Sequence, residues 1–116
     1  MERRSRHRRG VKRERRQLSA RAPVDMILNK YIRGRPYLCR ATNLGSGGLL
    51  VHKIREPRSD EVRVGLQFQL PGDDRVITCA GEIVHQHAWI DAAGIRFTSI
   101  SPEHQALIDE FVRRAS

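Results

Sequence analysis

The chain has 116 residues, 22 of them Lys or Arg and 13 Asp or Glu, for a formal charge of +9, and this length suits one domain and argues against a multidomain enzyme. No apolar run approaches the roughly 18 to 20 residues needed to cross a bilayer, and no apolar stretch of signal-peptide type follows the basic start, so a cytoplasmic protein without membrane insertion is expected. The charge is concentrated: residues 1–21 hold ten basic and two acidic side chains, and the rest of the chain holds twelve and eleven.

Residues 1–21 therefore form a basic arginine-rich arm, with Val11 and Leu18 as its sizeable interior apolar residues. Such a composition cannot bury enough surface to offset its ordering entropy, so the arm is expected to be disordered without a ligand. Residues 22–116 read as the folded body. Pro23 to Tyr31 alternates, with Val24, Met26 and Leu28 on one side and Asp25, Ile27 and Asn29 on the other, which is a strand with one apolar exception. Arg33-Gly34-Arg35-Pro36 supplies a turn, and Tyr37 to Thr42 makes a second strand that runs into the glycine-rich turn Asn43-Leu44-Gly45-Ser46-Gly47-Gly48. Gly48 to His52 returns as a third strand, and the polar stretch Ile54 to Arg63 is a loop. Val64 to Leu70, Val76 to His87 and Ala92 to Thr98 complete six strands, with Pro71-Gly72-Asp73-Asp74 as a β-turn. Turn signals every ten residues or so predict a small antiparallel sandwich or barrel, an all-β-dominated fold.

The end of the chain changes period. Ser101 is an N-cap, Pro102 takes the first helical position and Glu103 lies in the first turn, where the helix dipole favours an acid. Leu107, Ile108, Phe111 and Val112 then recur at helical spacing, so a helix over about 101–115 lays an apolar stripe on the body.

Catalytic constellations are missing from the pattern. The chain has no G-x-S-x-G, H-E-x-x-H or Walker sequence, so no enzyme activity is expected. Asp73 and Asp74 are explained as turn residues by the Pro-Gly before them, and His85 and His87 alternate onto one strand face without an evident third ligand, so neither a metal nor a cofactor is expected. Cys39 and Cys79 stand alone in apolar surroundings and are expected as thiols of the core. Trp89, beside Ile90, is expected at the rim of the core, with a stacking surface for a base as the alternative.

What the sequence favours instead is a ligand with nucleobases and phosphates. Glycines at 45, 47 and 48 let a ligand approach the main chain, so that N–H groups can face an anion or a base edge. Just ahead of the first strand stands Arg15-Arg16-Gln17-Leu18-Ser19-Ala20-Arg21, and arginine can grip guanine with two hydrogen bonds, stack on its face or clamp phosphate.

Together these residues resemble the PilZ family, bacterial domains that bind cyclic di-GMP. The family carries an R-x-x-x-R pair ahead of the first strand and a D/N-x-S-x-x-G turn between the second and third. Asn43 to Gly48 looks like that turn, and Val64-Gly65, Leu70-Pro71-Gly72, Ala80-Gly81-Glu82-Ile83-Val84 and Gly94-Ile95-Arg96-Phe97 resemble family strands in the same order. The resemblance implies a six-stranded antiparallel β-barrel with one C-terminal helix, and a nucleotide held between the arginine segment and the barrel rim. Carried over by position, the ligand-binding residues are Arg15, Arg16, Arg21, Asn43, Gly45, Ser46 and Gly48. Arg21 is then the second arginine of the pair, Asn43 the acceptor for a guanine and Gly48 the closing glycine. Two departures stand out: Arg16 to Arg21 is R-x-x-x-x-R, one residue longer than the motif, and Gly45 occupies the serine position. Arg9 and Arg13 do satisfy R-x-x-x-R and form an additional candidate pair, about ten residues before the strand and farther from it than the family places the motif. The implied function is a cyclic di-GMP receptor or adaptor whose arm and surface change on binding to signal to an unidentified protein partner. The alternatives are a PilZ-like adaptor that no longer binds the nucleotide, and a non-specific nucleic-acid binder with weak affinity.

Overall fold

The computed structural model describes residues 21–115. Six strands, β1 (Arg21–Ile32), β2 (Arg35–Gly45), β3 (Gly48–Lys53), β4 (Arg63–Gln69), β5 (Val76–His87) and β6 (Ala92–Ile100), are followed by helix α1 (Pro102–Ala115). They close into one barrel in the order β1-β2-β3-β6-β5-β4, with every neighbouring pair antiparallel. Between a sandwich and a barrel, the barrel is what forms, and closure pairs each of these strands on both sides, so none is an open edge for another chain. The first strand begins at Arg21, so the last residue of the basic segment is already part of the sheet.

Local chemistry sets the turns. Arg33 and Gly34 both have positive φ angles, 52° and 80°, which gives the two-residue hairpin whose twist matches the flanking strands. Leu70 O accepts from Asp73 N at 3.0 Å across Pro71 and Gly72, and Gly72 has a φ of 79°, the arrangement of a type II turn. Asp73 also accepts from the Arg75 main chain and guanidinium. Those bonds, with the Arg75 charge, hold its carboxyl down to about 2.

The inner faces of the strands bury Met26, Leu28, Cys39, Ala41, Leu44, Val51, Leu66, Phe68, Ile77 and Ile95. Both cysteines are free thiols in this core, and burial pushes Cys39 up to about 11 and Cys79 up to about 12. The alternation of β1 runs on to an unexpected residue. Lys30 is fully buried, and its Nζ donates to Glu56 Oε1 at 2.8 Å. Glu56 comes from the polar loop between β3 and β4 and has a side chain only 5% exposed, so the loop is tied to the end of the barrel by a buried ion pair.

Ser101 caps α1, its Oγ accepting from His104 N at 3.2 Å, and Ile108 and Val112 are buried with Leu107 and Phe111 packed beside them. The helix lies against β1 and β2, as its stripe predicts. Trp89 departs from expectation. It is 97% exposed and does not belong to the core rim, because a 3-10 turn over Ala88–Ile90 that ends on the left-handed Asp91 lifts it off the barrel. Lys53 N donates to Asp91 O at 2.9 Å and anchors that turn. His85 and His87 have ring centroids 6.3 Å apart, and the described residues contain no group of three metal-ligating side chains.

Candidate functional site

A β-bulge builds the site. Cys39, Ala41 and Leu44 all face the core with no exposure, so the inward phase slips by one residue between Ala41 and Leu44. The register of β2 against β3 shows the cause: Ala41 pairs with Val51 and Asn43 with Leu50, leaving Thr42 unmatched. An extra residue in one strand re-aims the side chains that follow it. Without the bulge Asn43 would point into the core beside Ala41; with it, Asn43 and Gly45 share the outer face of the barrel.

Around that face runs one continuous register row, in which Arg21 pairs with Gly45, Gly45 with Gly48, Gly48 with Arg96 and Arg96 with Glu82. Directly paired residues project to the same side of a sheet. Two residues without side chains, both buried, are therefore bordered by an arginine on either side. The Arg21 guanidinium reaches across the turn, Nη1 donating to Gly48 O at 3.2 Å. Arg96 is 61% exposed and is engaged by Glu82.

The turn's carbonyl groups are consumed internally. Ser46 O accepts from Gln105 Nε2 at 2.8 Å, Gly47 O from Phe97 N at 2.8 Å and Gly48 O from Arg21. A rim whose carbonyls are already paired is electrostatically suited to an anion or to acceptor atoms of a base. One row away the balance is opposite: the Oδ1 of Asn43 is buried and finds no hydrogen-bond partner among the described residues. An unpaired buried acceptor costs about 1–3 kcal/mol.

Glycine is required at one of these positions on steric grounds. A Cβ on Gly48 would lie 2.1 Å from Ile95 O, a main-chain atom that cannot yield without opening the β3–β6 ladder. The positive-φ glycines among the described residues are Gly34 and Gly72, so Gly45 holds an angle that serine adopts without strain. Gly48→Ser is accordingly expected to lower the melting temperature and to damage ligand binding together. Gly45→Ser restores the motif hydroxyl, worth about 0.5 to 1.5 kcal/mol net, and should tighten binding roughly two- to tenfold with little change in melting. Calorimetric titration and thermal melting of both variants check this. Equal or weaker binding by a well-folded Gly45→Ser protein would show that the hydroxyl has no partner there.

The family model for the PilZ domain matches residues 2–114, nearly the whole chain and including the arginine-rich segment. The chain belongs to the PilZ domain family. Solved structures agree in fold. The PilZ domain of CeSA from a cellulose-synthesizing bacterium superposes with a TM-score of 0.63 at 14% identity, covering 83% of this chain and 97% of that one. The PilZ domain of YcgR from Escherichia coli, solved with c-di-GMP, gives 0.64 at 11% identity over 82% and 87%. PlzA from Borreliella burgdorferi, solved in complex with c-di-GMP, gives 0.64 at 20% identity over 89% of this chain and 44% of that chain. This chain thus spans most of the isolated PilZ domains and less than half of PlzA. A sequence search of curated proteins finds no match.

Of the site residues expected from sequence, the PilZ barrel brings Arg21, Asn43, Gly45, Ser46 and Gly48 together on one rim. Arg9, Arg13, Arg15 and Arg16 lie outside the described residues. Sequence reading missed Gln105, which pins the turn from α1, and the Arg96–Glu82 pair. The helix stripe marks the apolar face of α1 and gives no sign of where its polar residues land. Arg96 stands inside a recognised strand segment, but only the closed β3–β6 ladder puts it opposite Gly48.

Proposed function

We propose that this PilZ protein is a non-catalytic receptor for cyclic di-GMP. The observation that carries the reading is the juxtaposition on one rim of the Arg21 guanidinium, laid over the Gly45–Gly48 turn, with the unpaired buried acceptor of Asn43. Guanidinium groups suit the phosphates and the O6/N7 edge of guanine, and Asn43 suits the donor edge of the same base. The basic segment before Arg21 supplies further guanidiniums, Arg15 and Arg16 first and then Arg9 and Arg13, and ligand binding orders it over the rim. The changed surface is then read by a protein partner. The structures of YcgR and PlzA with c-di-GMP support a ligand of this class.

Titration calorimetry with cyclic di-GMP, and with GTP and cyclic GMP as comparators, tests the proposal. Selective binding at micromolar affinity or tighter, about −8 kcal/mol or better, is expected. Absence of heat and of any NMR shift at ~1 mM ligand, far above that affinity, would replace the receptor by an adaptor that acts without the nucleotide. Duplex DNA should bind weakly, without sequence preference, and should dissociate steeply as salt rises, because a polycation gains its affinity by counterion release. Cyclic di-GMP binding should fall less, since only two phosphates are involved and base contacts are short-range. A sequence-specific DNA complex that survives ~0.2 M salt would favour nucleic-acid binding instead.

A further inference from the structure

We propose that Arg96 is a second barrel-borne arginine of the nucleotide site, held by Glu82 until the ligand takes it over, so that Glu82 sets the affinity. This rests on the receptor reading above and extends it to residues outside both family motifs. Arg96 flanks the glycine turn more directly than any other β6 residue: its Cα partner is Gly48, and the next residue, Phe97, donates its N–H to Gly47 O. It faces outward because its neighbours face inward, Ile95 being 2% exposed and Phe97 packed against the core. Arg21 and Arg96 thus border the same two glycines from opposite sides. With strands ~4.8 Å apart, their Cα atoms stand about 14 Å apart along the sheet, so a ligand seated by Arg21 meets Arg96 at its other edge.

In the free protein the Arg96 guanidinium is engaged by the Glu82 carboxylate from β5. An exposed ion pair of this kind contributes little to folding. A phosphate or a guanine O6/N7 edge offers the same acceptor geometry as a carboxylate, so ligand and Glu82 compete for one fork. Glu82 can release it without being stranded: on its other side it stands directly opposite the exposed Arg63 of β4, and it keeps access to water.

The test is a set of four proteins, wild type, Arg96→Ala, Glu82→Gln and the double variant, titrated with cyclic di-GMP by calorimetry and melted without ligand. The expected signature is opposite signs. Arg96→Ala should weaken binding roughly tenfold or more, because a charge-assisted hydrogen bond to the ligand is removed, and Glu82→Gln should tighten it several-fold by freeing the guanidinium. In the double variant the Glu82→Gln gain should vanish, because there is no Arg96 to free. A pair that only braces β5 against β6 would move both single variants in the same direction, in melting and in binding, and that result overturns the inference. Wild-type affinity in both single variants overturns it as well. The receptor reading fails differently, with no binding by the wild type itself. Should Arg96→Ala melt early, the sign of the Glu82→Gln effect still decides.

Discussion

Arg21→Ala is expected to remove most cyclic di-GMP binding while leaving the PilZ barrel folded. Arg21 belongs to the basic segment and is also a strand residue, held in register with Gly45 and bonded to Gly48 O. Its guanidinium is therefore already positioned over the turn, and a preorganised group contributes more to affinity than one that must be ordered on binding. A charge-assisted hydrogen bond is worth about 1.5 to 3 kcal/mol, and a guanidinium can make two at once, so a fall of about a hundredfold is reasonable. Without ligand the variant lacks one partly exposed side-chain bond to a carbonyl, worth about 1 kcal/mol, and should melt within several degrees of wild type. Arg15→Ala and Arg16→Ala should weaken binding less. The measurement is calorimetry beside thermal melting. If Arg21→Ala binds normally and Arg9→Ala and Arg13→Ala do not, the upstream pair is the grip and the motif alignment shifts accordingly.

The largest effect on stability is expected at Lys30. Its ammonium is fully buried, 2.8 Å from a carboxylate whose side chain is 5% exposed, and the second oxygen of that carboxylate, Oε2, has no hydrogen-bond partner among the described residues. Lys53 approaches the same carboxylate at 3.9 Å. Lys30→Met would leave Glu56 buried beside an apolar side chain, and removing one member of a buried pair costs about 3 to 5 kcal/mol. For a body of this size that is a fall in melting temperature of roughly 12 °C or more. The double variant Lys30→Met, Glu56→Leu should recover most of the loss, because the penalty comes from the stranded charge and not from the missing attraction. Melting curves of the two proteins decide the matter. A Lys30→Met protein that melts like wild type would mean that water reaches the pair and that the β3–β4 loop is not held by it.

These two sites also mark the boundary between what was legible in the chain and what was not. Strands, turns and the helix could be read residue by residue because their causes are local: Pro71-Gly72 suits a type II turn, Ser101-Pro102-Glu103 caps a helix, and period-two alternation needs no information from elsewhere. The glycine turn and Arg21 were legible for the same reason, each being a short contiguous pattern. Lys30 shows where that reasoning stops. Its place on the inner face follows from the alternation through Met26 and Leu28, yet a charge can be buried only if a partner arrives, and Glu56 comes from a polar loop 26 positions away that looks solvated by composition. Asn43 is a second case, since its outward aim depends on a bulge at Thr42 that is set by the pairing of β2 with its neighbouring strands. Trp89 is a third: a large aromatic beside Ile90 reads as a residue of the core rim, and only the left-handed Asp91 and its bond to Lys53 turn it outward. By itself the sequence determined the elements, their order and the arginine-glycine chemistry of the rim, because those depend on neighbours along the chain. The tertiary structure decided which charges are buried in pairs, which polar atoms are left without a partner and that Arg96 stands beside Gly48, because those depend on strand register around a closed barrel.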